Sequence, residues 1–271
     1  MKQDFEIYFH LGLPKVASTF FQKEIFPKLA DVTYYPKHRF HKYRKLDVSL
    51  LKGKYLFTSE KDKGLERTAG EITGIFPDAR IILFFRRHDD WILSKYRYWV
   101  RKFGKESFTE FFDIENDKGY LKRELLCYRE KIEHIEKMCR IRPLILTYDL
   151  LKEDPDLFIG QLTRYMNTSL QHSARKHVTV KTNFREKQLL AIRRFNRIYP
   201  YKAAGTSSRT LNKIHYKYRE FLLHIVAFFS LFIPGFMMKS KSLLSEKNIR
   251  ELEQIRSYFE KDWEYCKNYH D

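Results

Sequence analysis

Cysteine is scarce in this chain: three residues, Cys127, Cys139 and Cys266, stand among 271. The odd count and the lack of any C-x-x-C spacing argue against a disulfide framework and against a cysteine zinc site, and fit a reducing compartment. Acids are short as well, with 34 Asp+Glu against 52 Lys+Arg and a formal charge of +18. Such an excess attracts anions, whether nucleotides, acidic glycans, nucleic acid or acidic headgroups, without choosing among them. No signal peptide is visible, because acids come early and a glycine and a proline cut the first apolar run short. A cytoplasmic location is therefore expected. The chain shows no internal repeat and no low-complexity tract.

What is present is enough for a core, since 43% of the residues are hydrophobic and 16% aromatic. A single domain is expected, with a core at about 5–170, a basic helical insertion at about 171–244 and a C-terminal helix at about 245–269. One apolar segment, Phe221 to Met238, is 18 residues long with basic flanks. It sits at the lower limit for a membrane span. Pro234 and Gly235 near its end, and the absence of a second such segment, favour a helix buried against protein. The alternatives are a helix lying in a membrane interface, which would make the protein peripheral at the inner face of the membrane, and a membrane span.

Along the chain, FEIYFHL (5–11) reads as a strand, followed by a glycine-containing turn and a helix from Ser18 to Leu29. Further strands are expected at Val32–Tyr35, Lys54–Thr58, Ala79–Phe85 and Arg142–Thr147. Helices are expected at Leu65–Phe76, Asp89–Phe103, Phe108–Phe112, Gly119–Ile141, Asp156–Met166 and Ser245–Tyr269. The basic stretch KHRFHKYRK (37–45) shows little periodicity, and the polar run at 199–210 looks like a loop. ARIILFF is apolar on both faces, as the middle of a parallel sheet requires. Strands alternating with helices predict an α/β fold of three layers, α/β/α, around a mostly parallel central sheet. Ligands then bind at the carboxyl ends of the strands.

Two loops occupy such ends. After the first strand comes Gly12-Leu13-Pro14-Lys15-Val16-Ala17-Ser18-Thr19. A nucleoside triphosphatase P-loop needs a second glycine directly before the lysine and a hydroxyl directly after it, to meet magnesium. Here the lysine comes early and Ala17 stands in place of the second glycine. Amides at a helix N-terminus still form an anion site, with charge from Lys15 and hydroxyl donors from Ser18 and Thr19. After the ARIILFF strand comes RRHDDWILS, in which Arg86 precedes Ser94 by eight positions. An arginine offers phosphate a two-pronged fork that lysine cannot copy.

These segments resemble the sulfotransferases that use 3′-phosphoadenosine 5′-phosphosulfate (PAPS). That family has an apolar strand followed by G-x-P-K-x-[GA]-[ST]-[ST] for the 5′-phosphosulfate. For the 3′-phosphate it has an arginine at a strand end and a serine eight positions later. Gly12, Pro14, Lys15, Ser18 and Thr19 match the first pattern, and Arg86 and Ser94 the second. Ala17 stands where glycine is commoner, which narrows the turn's freedom, and His88 stands where many members have proline. The resemblance covers about residues 5–165 and the final helix. It implies a P-loop-like sulfotransferase fold with a helical C-terminal part and PAPS bound by Gly12, Pro14, Lys15, Val16, Ala17, Ser18, Thr19, Arg86 and Ser94. It also implies 3′,5′-diphosphoadenosine (PAP) as product, by a transfer that requires no metal. The excess of positive charge around aromatic side chains suits an anionic or growing polysaccharide as acceptor, and the apolar segment at 221–238 suits a lipid-linked glycan.

Lys15 is the natural cation for the leaving phosphate oxygen. For the base, Glu60 at the end of KYLFTSE is the first candidate, on the analogy of carbohydrate sulfotransferases that use glutamate in this role. Its plainer fate is a pairing with Lys61, Lys15 or Arg87. His10 and His41 are the alternatives, and Arg87 is an alternative to Arg86. Asp89 and Asp90 are expected to cap the helix carrying Ser94. Lys181, Asn183 and Arg185 are further candidate nucleotide contacts. Two rival functions stay open on sequence alone: a P-loop kinase or related nucleotide-binding enzyme, and a basic nucleic-acid binder using charge and aromatic stacking.

Overall fold

The computed structural model describes residues 4–61, 63–171, 184–199, 208–233 and 242–269. The chain divides into two compact units. The first comprises Met1–Trp91, Glu124–Val180 and Tyr258–Asp271, and the second Ile92–Arg123 and Lys181–Ser257.

The first unit is built on β1 (Phe5–Gly12), β2 (Val32–Tyr35), β3 (Gly53–Glu60), β4 (Arg80–Phe85) and β5 (Leu144–Thr147). All pairings are parallel, in the order β2-β3-β1-β4-β5. β1 is central, and the chain winds first to one side of it and then to the other. Ligand crevices form at such a reversal in parallel sheets. Its helices are the short α1 (Ser18–Phe20), α2 (Leu65–Ile75), the start of α3 (His88–Lys102), α5 (Tyr128–Met138), α6 (Tyr148–Glu153), α7 (Pro155–Tyr165) and α11 (Glu260–Lys267). β4 is buried from Ile81 to Phe85, as its unbroken apolar run requires. On one side of the sheet, the Phe21, Phe84 and Phe158 rings meet with centroids 4.9 to 5.1 Å apart. Phe9, Phe57 and Tyr43 pack on the other side of β1. Each fully buried phenylalanine contributes about 2 kcal/mol by area, so these two clusters hold the sheet that carries both loops.

The second unit is helical: the rest of α3, α4 (Phe108–Phe111), α8 (Glu186–Ile198), α9 (Arg209–Phe229) and α10 (Glu246–Tyr258). Inside it, the buried Arg219 donates to the Lys102 carbonyl at 2.9 Å and to the Asn196 side chain, so its guanidinium is held by neutral acceptors.

Four expectations change. The helix expected at Ser18–Leu29 is α1, then a π-helical turn at Phe21–Ile25 and a 3₁₀ turn at Phe26–Lys28, where Pro27 brings no amide donor. The helix expected at Gly119–Ile141 begins only at Tyr128. Before it, Tyr120 and Leu121 donate to the carbonyls of Glu110 and Phe111, and a Cβ at Gly119 would lie 2.7 Å from the Asp113 amide nitrogen. The C-terminal helix is interrupted at Phe259, between α10 and α11. The apolar segment is not buried all round: Leu223 and Ala227 face inward, while Phe221, Phe228, Phe229 and Phe232 are more than half exposed. Residues 234–238 of that segment lie outside the described residues, as do 200–207 of the polar run. No helix among the described residues is long and apolar enough to cross a membrane.

Candidate active site

The loop after β1 is shaped by backbone geometry that its glycine does not supply. Gly12 is the last residue of β1, has no positive φ, and a Cβ there would lie 3.5 Å from the Phe84 carbonyl oxygen, an ordinary contact. The left-handed positions are Lys15, at φ 74°, and Ala17, at φ 66°. For residues with a Cβ each costs about 1 kcal/mol, a strain that clusters at functional sites. Left-handed residues at alternate positions curl the chain so that successive amides converge into a concave anion nest. Val16 is buried and anchors the turn, Pro14 and Lys15 are half-exposed, and Thr19 is exposed.

Two side chains from the next strand and helix hold this loop. Arg86, directly after β4, donates through Nη1 to the Lys15 carbonyl at 3.4 Å. Trp91 donates its indole N–H to the Pro14 carbonyl at 2.7 Å. The pairing of β1 with β4 makes this reachable, because Gly12 lies opposite Phe84.

Arg86 is further held by Asp90 at 3.8 Å and by the face of Tyr148, 4.5 Å from its guanidinium carbon. Its Nε is buried without a partner, and so is Ser18 Oγ, inside the loop. These two orphaned donors leave hydrogen-bonding capacity beside the loop that an anionic group would take up. Arg87 is committed elsewhere: it forks onto Asp89 at 2.7 and 3.0 Å, a pairing that raises its pKa further. Asp89 and Asp90 stand in the first turn of α3, where their carboxylates meet Arg87 in the one case and Arg86 and Lys152 in the other.

His88, standing where many members of the resembled family have proline, anchors this loop through its ring. Its ring is sandwiched between Tyr128 at 4.1 Å and Phe259 at 4.4 Å. Its Nε2 lies 2.9 Å from the Leu126 carbonyl and 2.8 Å from Asp262 Oδ2, both acceptors, so Nε2 carries the proton. Asp262 also accepts from the amides of Tyr128 and Arg129 at 3.0 and 2.8 Å, which starts α5 at that residue.

Glu60 ends β3 opposite Gly12. It pairs with Lys37 at 3.2 Å and its side chain remains 14% exposed, while Lys61 donates to Thr68 and Arg87 to Asp89. His10 is fully buried, with Nδ1 2.9 Å from Thr58 Oγ1, and burial pushes its pKa down to about 3. It cannot reach an acceptor. His41 is exposed on the 3₁₀ helix Lys37–Lys45. Ser94 is half-buried on the part of α3 that belongs to the second unit. Arg185 is exposed ahead of α8, and Lys181 and Asn183 lie outside the described residues. Trp91, Tyr148 and the His88–Asp262 pair had no signal in the sequence.

No protein-family model and no curated protein matches the chain. Solved structures do. The chain is similar to a sulfotransferase from Alicyclobacillus acidocaldarius, with a TM-score of 0.50 and 16% identity over 66% of this chain and 87% of that one. It is also similar to mouse sulfotransferase SULT7A1 complexed with PAP, with a TM-score of 0.49 and 14% identity over 98% of this chain and 89% of that one. The five-stranded parallel sheet with helices packed on it makes this an α/β protein. Its fold is that seen in a sulfotransferase.

Proposed function

We propose that this chain is a PAPS-dependent sulfotransferase, moving a sulfuryl group to a hydroxyl or amine of a glycan acceptor, free or lipid-linked. The observation that carries the proposal is the bond from Arg86 to the Lys15 carbonyl, which joins the two phosphate-binding motifs at neighbouring strand ends. In this reading the amides of Val16 to Thr19, with Ser18 and Lys15, take the 5′ end of the nucleotide, and Arg86 takes the 3′-phosphate. Gly12 and Pro14 shape the entry to the loop. Ser94 belongs to the 3′ subsite on the sequence match alone. When bound, PAPS supplies the activated sulfuryl group.

The chain's own contribution is charge and orientation. Lys15 neutralises the phosphate oxygen as its bond to sulfur breaks, and Glu60 takes the proton of the acceptor hydroxyl as the new oxygen–sulfur bond forms. Lys37 fixes the Glu60 carboxylate. The exposed phenylalanines of α9 and the turn after it extend the proposal to a peripheral membrane contact within 221–238, suited to a lipid-linked acceptor.

Calorimetry tests the nucleotide site. PAP should bind far more tightly than ATP with magnesium, and Arg86→Ala should cost about 2 kcal/mol of PAP affinity, the worth of a charge-assisted bond. Lys15→Ala should lower turnover much more than PAP affinity. Equal affinity for the two nucleotides, unaffected by Arg86→Ala, sinks the proposal.

A further inference from the structure

The basic run Lys37–Lys45 forms a 3₁₀ helix of nine residues, long for its kind. At three residues per turn its side chains fall into three columns. The column Lys37, Phe40, Tyr43 faces the sheet: the Phe40 and Tyr43 rings lie 6.2 and 5.4 Å from Phe9, and Tyr43 is buried. The other two columns, His38-His41-Arg44 and Arg39-Lys42-Lys45, are exposed throughout. Arg44 is tied to Glu71 at 2.5 Å. Among the described residues, no carboxylate pairs with Arg39, Lys42 or Lys45.

A single phosphate is best held where donors converge on one point. Here the cations diverge in file, about 6 Å apart along each column and about 18 Å from end to end. Only a ligand with repeated negative charges meets such an array, and it releases a counterion at each contact. The helix also starts at the candidate active site, because its first residue, Lys37, is the partner of Glu60. Its aromatic rings face the sheet, so the comb offers no platform on which nucleic-acid bases could stack.

We infer that the comb Arg39-Lys42-Lys45, with His38, His41 and Arg44 beside it, binds an acidic polysaccharide whose carboxylate or sulfate groups lie along the helix while one hydroxyl reaches Glu60. This inference rests on the sulfotransferase reading for the role of that hydroxyl. The surface itself can be tested without turnover.

The experiment titrates the full chain with labelled dextran sulfate, neutral dextran and duplex DNA over a range of salt, and measures PAP affinity in the same preparations. R39A/K42A/K45A should weaken dextran sulfate binding about tenfold at low salt and lower the slope of log affinity against log salt by about 2, with PAP affinity unchanged. Neutral dextran should not bind. R39K/K42R/K45R should retain affinity, and K137A/K247A/K261A, which removes the same charge from other exposed positions, should lose little. Equal losses in the two alanine triples overturn the inference, since bulk charge then explains the binding. Tighter binding of DNA than of dextran sulfate, lost in the comb variant, overturns it in favour of a nucleic-acid surface. Failure of the native chain to bind PAP removes the underlying reading, while the dextran arms still judge the surface.

Discussion

Replacing His10 with glutamine isolates the cost of burying an ionisable ring behind the candidate active site. The ring is fully buried, 4.4 Å from Phe84 and 5.2 Å from Phe26, and its Nε2 has no partner. Protonation would place a charge in that setting with no counterion, so burial pushes the pKa down to about 3. The unfolded chain, with a histidine pKa of about 6.5, takes up a proton that the folded chain refuses. Stability from this residue is therefore complete above about pH 6.5 and is lost as pH falls towards about 3. At about 1.36 kcal/mol per pH unit, the loss between pH 7 and pH 5 is about 2 kcal/mol. Most carboxylates are still ionised at pH 5, and the other nine of the ten histidines are shared by both proteins, so they cancel in the difference. Urea unfolding at both pH values should show the native chain losing about 2 kcal/mol more than His10→Gln. Parallel losses would refute the argument and return His10 to the candidates for the base.

Asp262→Ala should destabilise by about 3 kcal/mol in urea, because it strips an acceptor from His88 and from two α5 amides at once. Asp262→Asn should recover part of the loss; a change below about 0.5 kcal/mol in the alanine variant would show that solvent replaces the carboxylate. Flotation on anionic vesicles should fall about tenfold in F228S/F232S, which removes two exposed rings from the apolar end of α9 and the turn after it. Unchanged flotation would remove the membrane contact from the proposed function.

The succession of strands along the chain and the two candidate anion-binding segments are legible because they are short-range signals. FEIYFHL and ARIILFF each carry their own pattern, and the hydroxyls and cation of 12–19 sit side by side in the chain. The bonds that assemble the segments are not short-range. Trp91 reaches Pro14 across 77 positions, and Arg86 reaches Lys15 across 71. Neither follows until β1 is known to pair with β4. The turn was legible from Gly12, yet the residues that turn are Lys15 and Ala17, whose side chains disfavour that geometry. His88 looked like a departure from a proline pattern, and its stack depends on Phe259, which lies far along the chain.

The run 37–45 is illegible for a different reason: its period is neither that of a strand nor that of an α-helix. KHRFHKYRK alternates neither at two nor at 3.6, so it reads as unpatterned basic chain. Its two rings, Phe40 and Tyr43, are three apart, and a helix of three residues per turn stacks both in one column on the sheet with Lys37. That packing leaves the six remaining residues no inward position, so all six, each Lys, Arg or His, must face solvent. The exposed charge of this segment thus follows from the register of two aromatic rings. Moving Phe40 by one position would turn a cation into the core, where an unpaired charge is not tolerated.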